Sequence, residues 1–273
     1  MRKFNTKPAL HVEPTTLWEY PSQDYGTSPH GDTGFLGATP AWVIWNLLQR
    51  YTRENDKVLD PMCGSGTTID VATELHRTPA GFDLAPTRAD IRHADARHLP
   101  LKSESVDFVF LDPPYSTHVK YSDDARCIGK LDASPTGGGP EENPYYRAME
   151  QVFTEMHRVL RPRRYLAVYV SDSFKKGRLF MPIGFELFSL LRRRFDPVDI
   201  IAVVRHNRKL GHRHWQSEAV KGNFFLRGFN YLLIFKKSPA NGSAFGAGST
   251  DAGRAGLKKQ ASQTDGNGGH AQR

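Results

Sequence analysis

The chain is poor in several things, and each shortage narrows what it can be. Its 273 residues hold two cysteines, Cys63 and Cys127. That is too few for a disulfide framework, and neither lies near a second Cys or His at metal-ligand spacing, which excludes a stapled secreted scaffold and a spaced zinc site. His212 and His214 have no third ligand placed near them, so no metal is expected. No apolar run is as long as a membrane span, and Met1-Arg2-Lys3-Phe4-Asn5-Thr6-Lys7-Pro8 is not followed by an apolar signal core. The expectation is a soluble protein in a reducing cytoplasm, without a membrane partner. Acids are scarce in one half: between Arg158 and Lys237 stand 18 Lys/Arg against 5 Asp/Glu, in a chain whose net charge is only +8. The rest is therefore acidic, and a polyanionic partner meeting the C-terminal half is expected, a solvated basic face being the alternative. After Lys237 apolar side chains almost vanish, so residues 238–273 cannot repay their ordering entropy and are expected to be a disordered tail.

What remains is ordinary globular material, 38% hydrophobic with four Trp and sixteen Phe, enough for a large α/β domain. Thr39-Pro40 reads as an N-cap with proline in the first turn of a helix through Trp42, Ile44, Trp45, Leu48 and Tyr51. Strands are predicted at Lys57–Asp60, Pro79–Asp83, near Asp90–Ala94, and at Asp107–Leu111, Tyr165–Val170, Val198–Val204 and Tyr231–Phe235. Helices are predicted near Thr67–Leu75, from Tyr145 through Leu160 and over Ile183–Phe195. Strands alternating with helices argue for about seven mostly parallel strands covered on both faces, with the last two, joined by no helix, antiparallel. The stretch from Asp83 to Asp95 is too short for a full helix and strand, so that crossover is abbreviated. Three regions follow: residues 1–38 packing near the site, a catalytic domain over 39–237 with insertions at 116–143 and 205–227, and the tail.

In an open α/β sheet ligands bind beyond the carboxyl ends of the strands. Asp60, Asp83, Asp95 and Asp112 each follow their own strand there, beside the glycine loop Asp60-Pro61-Met62-Cys63-Gly64-Ser65-Gly66-Thr67-Thr68. A solvated turn aspartate explains any one of them, but not the ordered set. The loop lacks the lysine of a phosphate-binding loop. A ligand with a carboxylate, a ribose and an adenine but no phosphate fits better, and S-adenosylmethionine has those parts. Asp112-Pro113-Pro114-Tyr115 follows the apolar run Val106–Leu111. A carboxylate and fixed backbone carbonyls can accept the hydrogens of an amino group conjugated into a base ring and sharpen its lone pair, while Tyr115 supplies a stacking face. Cys63 reads as a small loop residue, since direct transfer needs no covalent intermediate.

Asp60–Thr68 is similar to motif I, and Asp112–Tyr115 to motif IV, of the amino-group DNA methyltransferases. Ala94–Pro100 and Ser105–Asp107 also resemble the class I methyltransferase pattern, and Gly37–Leu48 resembles motif X, whose helix walls the donor pocket. The likeness runs from about Thr16 to Lys237. It implies the class I methyltransferase sheet, S-adenosylmethionine as donor and a flipped-out base as acceptor. It places Asp60, Pro61, Cys63, Gly64, Ser65, Gly66 and Thr67 around the donor, Asp83 on its ribose, Asp95 and Ala96 at its adenine, and Asp112, Pro113, Pro114 and Tyr115 at the target. DNA is the implied partner, with a cognate restriction endonuclease as a further one.

For recognition the sequence offers its two insertions, with Lys120 in one and Arg205, Asn207, Arg208, Lys209, Arg213 and Trp215 in the other. Interleaved basic and aromatic groups suit phosphate contact and base-edge readout. The function expected is methylation of adenine N6 or cytosine N4, an aspartate opening the tetrapeptide leaning toward adenine. RNA guanine-N2 methylation and a non-catalytic nucleic-acid-binding module are the alternatives.

Overall fold

A computed structural model describes residues 9–239 apart from 33, 34, 36, 136, 175–178 and 207. The tail expectation for 238–273 therefore falls almost wholly outside the described residues. Eight strands form one sheet: β1 (Leu17–Trp18), β2 (Lys57–Asp60), β3 (Thr78–Asp83), β4 (Ile91–His93), β5 (Val106–Leu111), β6 (Leu160–Val170), β7 (Asp196–Val204) and β8 (Phe229–Lys236), in the order β1-β7-β8-β6-β5-β2-β3-β4. Only β8 runs antiparallel, inserted between β6 and β7. The result is a mostly parallel α/β sheet whose one antiparallel strand lies inside it, with a short strand added at the β7 edge.

Alternation along the strands divides the core into two layers. Val109 and Leu111 of β5, Leu166, Val168 and Val170 of β6, and Leu233 and Phe235 of β8 face one side, where helices α3 (Pro144–Val159) and α4 (Ile183–Leu191) pack. Phe108 and Phe110, Ala167 and Tyr169, and Leu232 and Ile234 face the other, toward α1 (Ala41–Tyr51) and α2 (Thr67–Glu74). Helix α3 is capped by the Asn143 side chain, which accepts from Tyr145 N–H, and has proline in its first turn.

The structure corrects four expectations. The N-terminal segment adds the strand β1, anchored by the buried Trp18, whose indole N–H donates to Thr15 O at 2.8 Å. Helix α1 begins at Ala41 with Pro40 as its cap residue; the Thr39 hydroxyl makes no cap and turns elsewhere. Strand β6 starts five residues early, at Leu160, because the chain re-enters the sheet immediately after α3 and absorbs Arg161–Arg164 in a register shift against β5. Finally, β7 and β8 are joined by two short helices, α5 (Arg208–Gly211) and α6 (Arg213–Lys221), where none was expected. Of the residues on α6 only Ala219 is buried, so its sequence shows no apolar stripe. Strand β4 follows β3 without an intervening helix, the abbreviated crossover that the short Asp83–Asp95 spacing requires.

Candidate active site

The carboxyl ends of β2, β3, β5 and β6 open into a cleft of about 570 Å³. Its first wall is the glycine loop between β2 and α2. Gly64 and Gly66 both adopt left-handed backbone, at φ +47° and +85°, which L side chains rarely reach. A Cβ on Gly64 would stand 2.9 Å from the Phe35 ring, and one on Gly66 2.5 Å from the Arg88 guanidinium. The loop is tied down on both sides. Asp32 N–H donates to Ser65 O at 2.8 Å. Arg88 grips Asp70, in the first turn of α2, through two bonds of 2.9 and 2.7 Å.

The strand-end acids prove unequal. Asp60 is buried and turned into the loop: Oδ1 accepts from Met62 N–H at 3.1 Å and Oδ2 from the Thr68 hydroxyl at 2.6 Å. Burial pushes its carboxyl up to about 7, against the pull of those bonds. Asp83 is half-buried, accepting from Gly64 N–H at 2.9 Å and from Ala85 N–H at 2.8 Å, so it braces the loop from the next strand. Asp95 and Ala96 line the cleft. The Asp95 carboxylate, however, is already held by Arg97, whose Nε and Nη2 donate at 2.9 and 2.6 Å. Burial works to raise its pKa, and the Arg97 bonds outweigh it, so the group stays below the usual carboxylate range. Burial pushes the Cys63 thiol well up, leaving a neutral loop side chain.

Asp112 lies half-buried just past β5, and both of its oxygens are engaged by hydroxyls. Thr39 Oγ1 donates to Oδ2 at 2.5 Å and Tyr115 Oη donates to Oδ1 at 2.7 Å. Burial nonetheless raises this carboxyl to about 7. The tetrapeptide is held from behind by Tyr145 of α3, whose hydroxyl donates to Pro114 O at 2.8 Å. Immediately after it, Ser116 takes a positive φ of 61°, a strained conformation for a residue with a side chain. Its fully buried hydroxyl accepts from Ala133 N–H at 3.0 Å, so the insertion itself fixes the sharp turn out of the site.

The cleft thus brings together Asp60, Pro61, Cys63, Gly64, Ser65, Thr67, Asp83, Asp95, Ala96, Asp112, Pro113, Pro114, Tyr115 and Arg205. Gly66 stands behind its wall. Arg205 donates to Ser171 Oγ at 3.2 Å. Lys120, Arg213 and Trp215, also expected to meet nucleic acid, are not among the cleft's lining residues. Lys120 is exposed and paired with Asp123 at 2.6 Å, and Arg213 and Trp215 are exposed on α6. Asn207 is outside the described residues; the Arg208 and Lys209 backbone belongs to α5. Sequence reasoning missed Thr39 as a partner of Asp112 and Phe35 over the glycine loop; Tyr121 and the run Phe224–Arg227, from the two insertions expected to contact the target, line the cleft itself. The hydroxyl at Thr39 was visible, but its position beside a proline disguised it as a helix cap.

Residues 3–93 match the model of the N6/N4 methyltransferase family, described as DNA methylase. The match takes in α1, the glycine loop and Asp83, and stops before Asp112. No curated protein matches the chain. Among solved structures, the cyclase SpnF shows 14% identity and a TM-score of 0.48, over 77% of this chain and 88% of its own. A SAM-dependent methyltransferase from Methanosarcina mazei shows 15% identity and a TM-score of 0.44, over 70% of this chain and 97% of its own. A candidate DNA modification methylase from Thermus thermophilus shows 19% identity and a TM-score of 0.37, over 54% of this chain. The present chain spans about half of that protein, 51%.

Proposed function

We propose that this protein, whose first third carries the pattern of the amino-group DNA methyltransferases, transfers a methyl group from S-adenosylmethionine to the exocyclic amino group of adenine (N6) or cytosine (N4) in DNA. The observation that carries the reading is Asp112: a carboxylate gripped by two hydroxyls, in the same cleft as the glycine loop.

The residues present suit the donor. Gly64 lets the loop take its left-handed turn along the cleft wall, with the Phe35 ring packed where a Cβ would stand. Around the loop stand Asp60, Asp83 and Asp95, which favour a cation and ribose hydroxyls and disfavour a phosphate. Among the described lining residues the only Lys or Arg side chains are Arg205 and Arg227, at the two ends of the β7–β8 connection. Gly64 and Asp60 would hold the methionine part, with Gly66 shaping the loop behind them, Asp83 the ribose, and Asp95 with Ala96 the adenine end.

When bound, the donor supplies an electrophilic methyl group. The chain's own work is on the amino nitrogen. Asp112 accepts one amino hydrogen, and the Pro113 carbonyl is the natural acceptor for the other, since Pro114 O already receives the Tyr145 hydroxyl. Two in-plane acceptors turn the nitrogen lone pair out of conjugation and toward the methyl group, and Asp112 is in reach of the proton released. A base in a duplex must first leave the stack, at a cost of a few kcal/mol. Stacking on Tyr115 returns about 1–3 kcal/mol of this. Arg205, Arg213, Lys120 and Trp215 supply phosphate and groove contacts in this reading, and a restriction endonuclease is the companion it suggests.

The test is to incubate unmethylated DNA with the protein and isotopically labelled donor, digest to nucleosides and separate them. Label in N6-methyladenine or N4-methylcytosine is the expected result and names the base. Label in neither overturns the proposal, and label appearing only in guanosine of a parallel tRNA sample moves the reaction to RNA.

A further inference from the structure

One feature of the cleft has no part in donor binding or in the grip on Asp112. Phe225 lines the cleft, yet it is 82% exposed. A large aromatic ring left in water forgoes burial that folding would otherwise recover, and here the surrounding loop is built to keep it out. Its neighbour Phe224 turns inward and stacks on Phe174, with ring centres 5.3 Å apart and planes 21° from parallel. On the other side, Arg227 Nη2 donates to Phe225 O at 2.8 Å, and the Arg227 guanidinium lies 5.2 Å over the Phe180 ring. Arg205 N–H, at the end of β7, closes the loop on Gly228 O at 2.9 Å. Phe225 is thus presented by a braced segment, in the lining of a cleft that also holds Arg205 and Tyr115.

The charge around it selects the class of partner. From Arg205 to Arg227 there are six Lys/Arg and one acid, Glu218. An exposed ring inside a basic segment has the composition of a stacking platform for nucleic-acid bases: every base has a π-face, and the surrounding cations meet the phosphates. A second copy of this chain, with the same positive charge, is a poorer occupant.

We infer that Phe225 is a second aromatic contact for the polynucleotide, stacking on a base of the substrate strand or filling the gap left when the target base moves into the cleft. This rests on the reading of the cleft as a nucleic-acid methyltransferase site. Phe225 belongs to substrate binding, and Tyr115 and Asp112 to the chemistry.

Phe225→Ala, Phe225→Leu and Phe225→Trp separate stacking from greasiness, and at so exposed a position none disturbs the core; unchanged thermal melting verifies this. The substrates are unmethylated bacterial DNA for initial rates, and fluorescein-labelled single-stranded and duplex DNA of mixed sequence for anisotropy. Phe225→Ala should raise the KM for DNA and the Kd for the labelled strand about 5- to 150-fold, with the donor Kd unchanged. Phe225→Trp should restore both and Phe225→Leu should not. An unchanged KM in Phe225→Ala, full function in Phe225→Leu, or a loss confined to donor affinity overturns the inference while leaving the methyltransferase reading intact. A dimer seen by light scattering that Phe225→Ala dissolves overturns it in favour of a self-interface. If the wild type neither binds nor methylates DNA, both readings fall together.

Discussion

Replacing Thr39 by valine keeps the shape of a buried side chain and removes one proton donor. In the wild type that donor lies 2.5 Å from Asp112 Oδ2, and with the Tyr115 hydroxyl and the Arg205 cation it is one of three groups opposing the burial that lifts Asp112 to about 7. A hydrogen bond to a charged group is worth about 1.5–3 kcal/mol net. Since one pKa unit corresponds to about 1.4 kcal/mol, losing it should raise Asp112 by about 1–2 units. Asp112 must be ionised to draw hydrogens from the amino group, so kcat/KM for DNA should rise with pH through an acid limb near 7 in the wild type and near 8–9 in Thr39→Val. Near pH 7 the variant should be slower by about 5- to 50-fold, and at alkaline pH the two should converge. Initial rates measured from about pH 5 to pH 10 give both limbs. Thr39→Ser, which restores the donor, should return the limb toward 7. A Thr39→Val enzyme that is uniformly slower, with its limb in place, would refute the reasoning. So would a limb owned by Asp60, which burial also lifts to about 7 but which draws its hydroxyl bond from Thr68.

Three other outcomes follow from the same geometry. Asp112→Asn should abolish transfer while retaining donor binding, and it should also stabilise the free protein above neutrality. The folded carboxyl titrates near 7 against an ordinary 3.8, so its contribution to stability is intact below about pH 4 and lost as pH rises toward 7. The variant should therefore gain up to roughly 2–4 kcal/mol at pH 8 and nothing at pH 4, as read by urea denaturation. Gly64→Ala forces a side chain into left-handed backbone and 2.9 Å from the Phe35 ring, and calorimetry should show donor affinity falling about tenfold or more. The donor is a sulfonium cation and the buried Asp60, raised to about 7, stands beside its loop, so its affinity should climb as pH rises through 7 and level off above; affinity flat across that range would contradict the placement.

Much of the frame can be read from the chain because it is written in short-range pattern. The runs ending at Asp60 and Leu111 are buried strands, that ending at Asp83 a partly buried one, and the missing helix between Asp83 and Asp95 is a matter of counting residues. What escapes is whatever lacks a period or joins distant residues. Two residues of β1 are too few to show alternation, and α6, with one buried side chain, has no stripe to display. The Arg97 fork on Asp95 reads as ordinary surface charge until it is seen closing over the acid expected to meet the donor.

Thr39 shows why the catalytic end of the site is the hardest part to read. The family match ends at residue 93, and the tetrapeptide begins at Asp112. Each segment taken alone has a complete local interpretation, a helix start in one and an Asp-Pro-Pro-Tyr turn in the other. Pro40 takes over the position that would have used the Thr39 hydroxyl as a cap, and a buried hydroxyl without a partner would cost about 1–3 kcal/mol. The Asp112 carboxylate is the group that satisfies it, across 73 residues of sequence. The residue before α1 and the Asp-Pro-Pro-Tyr loop are therefore joined at one bond. Distorting the start of α1 should reach Asp112 before it reaches the core.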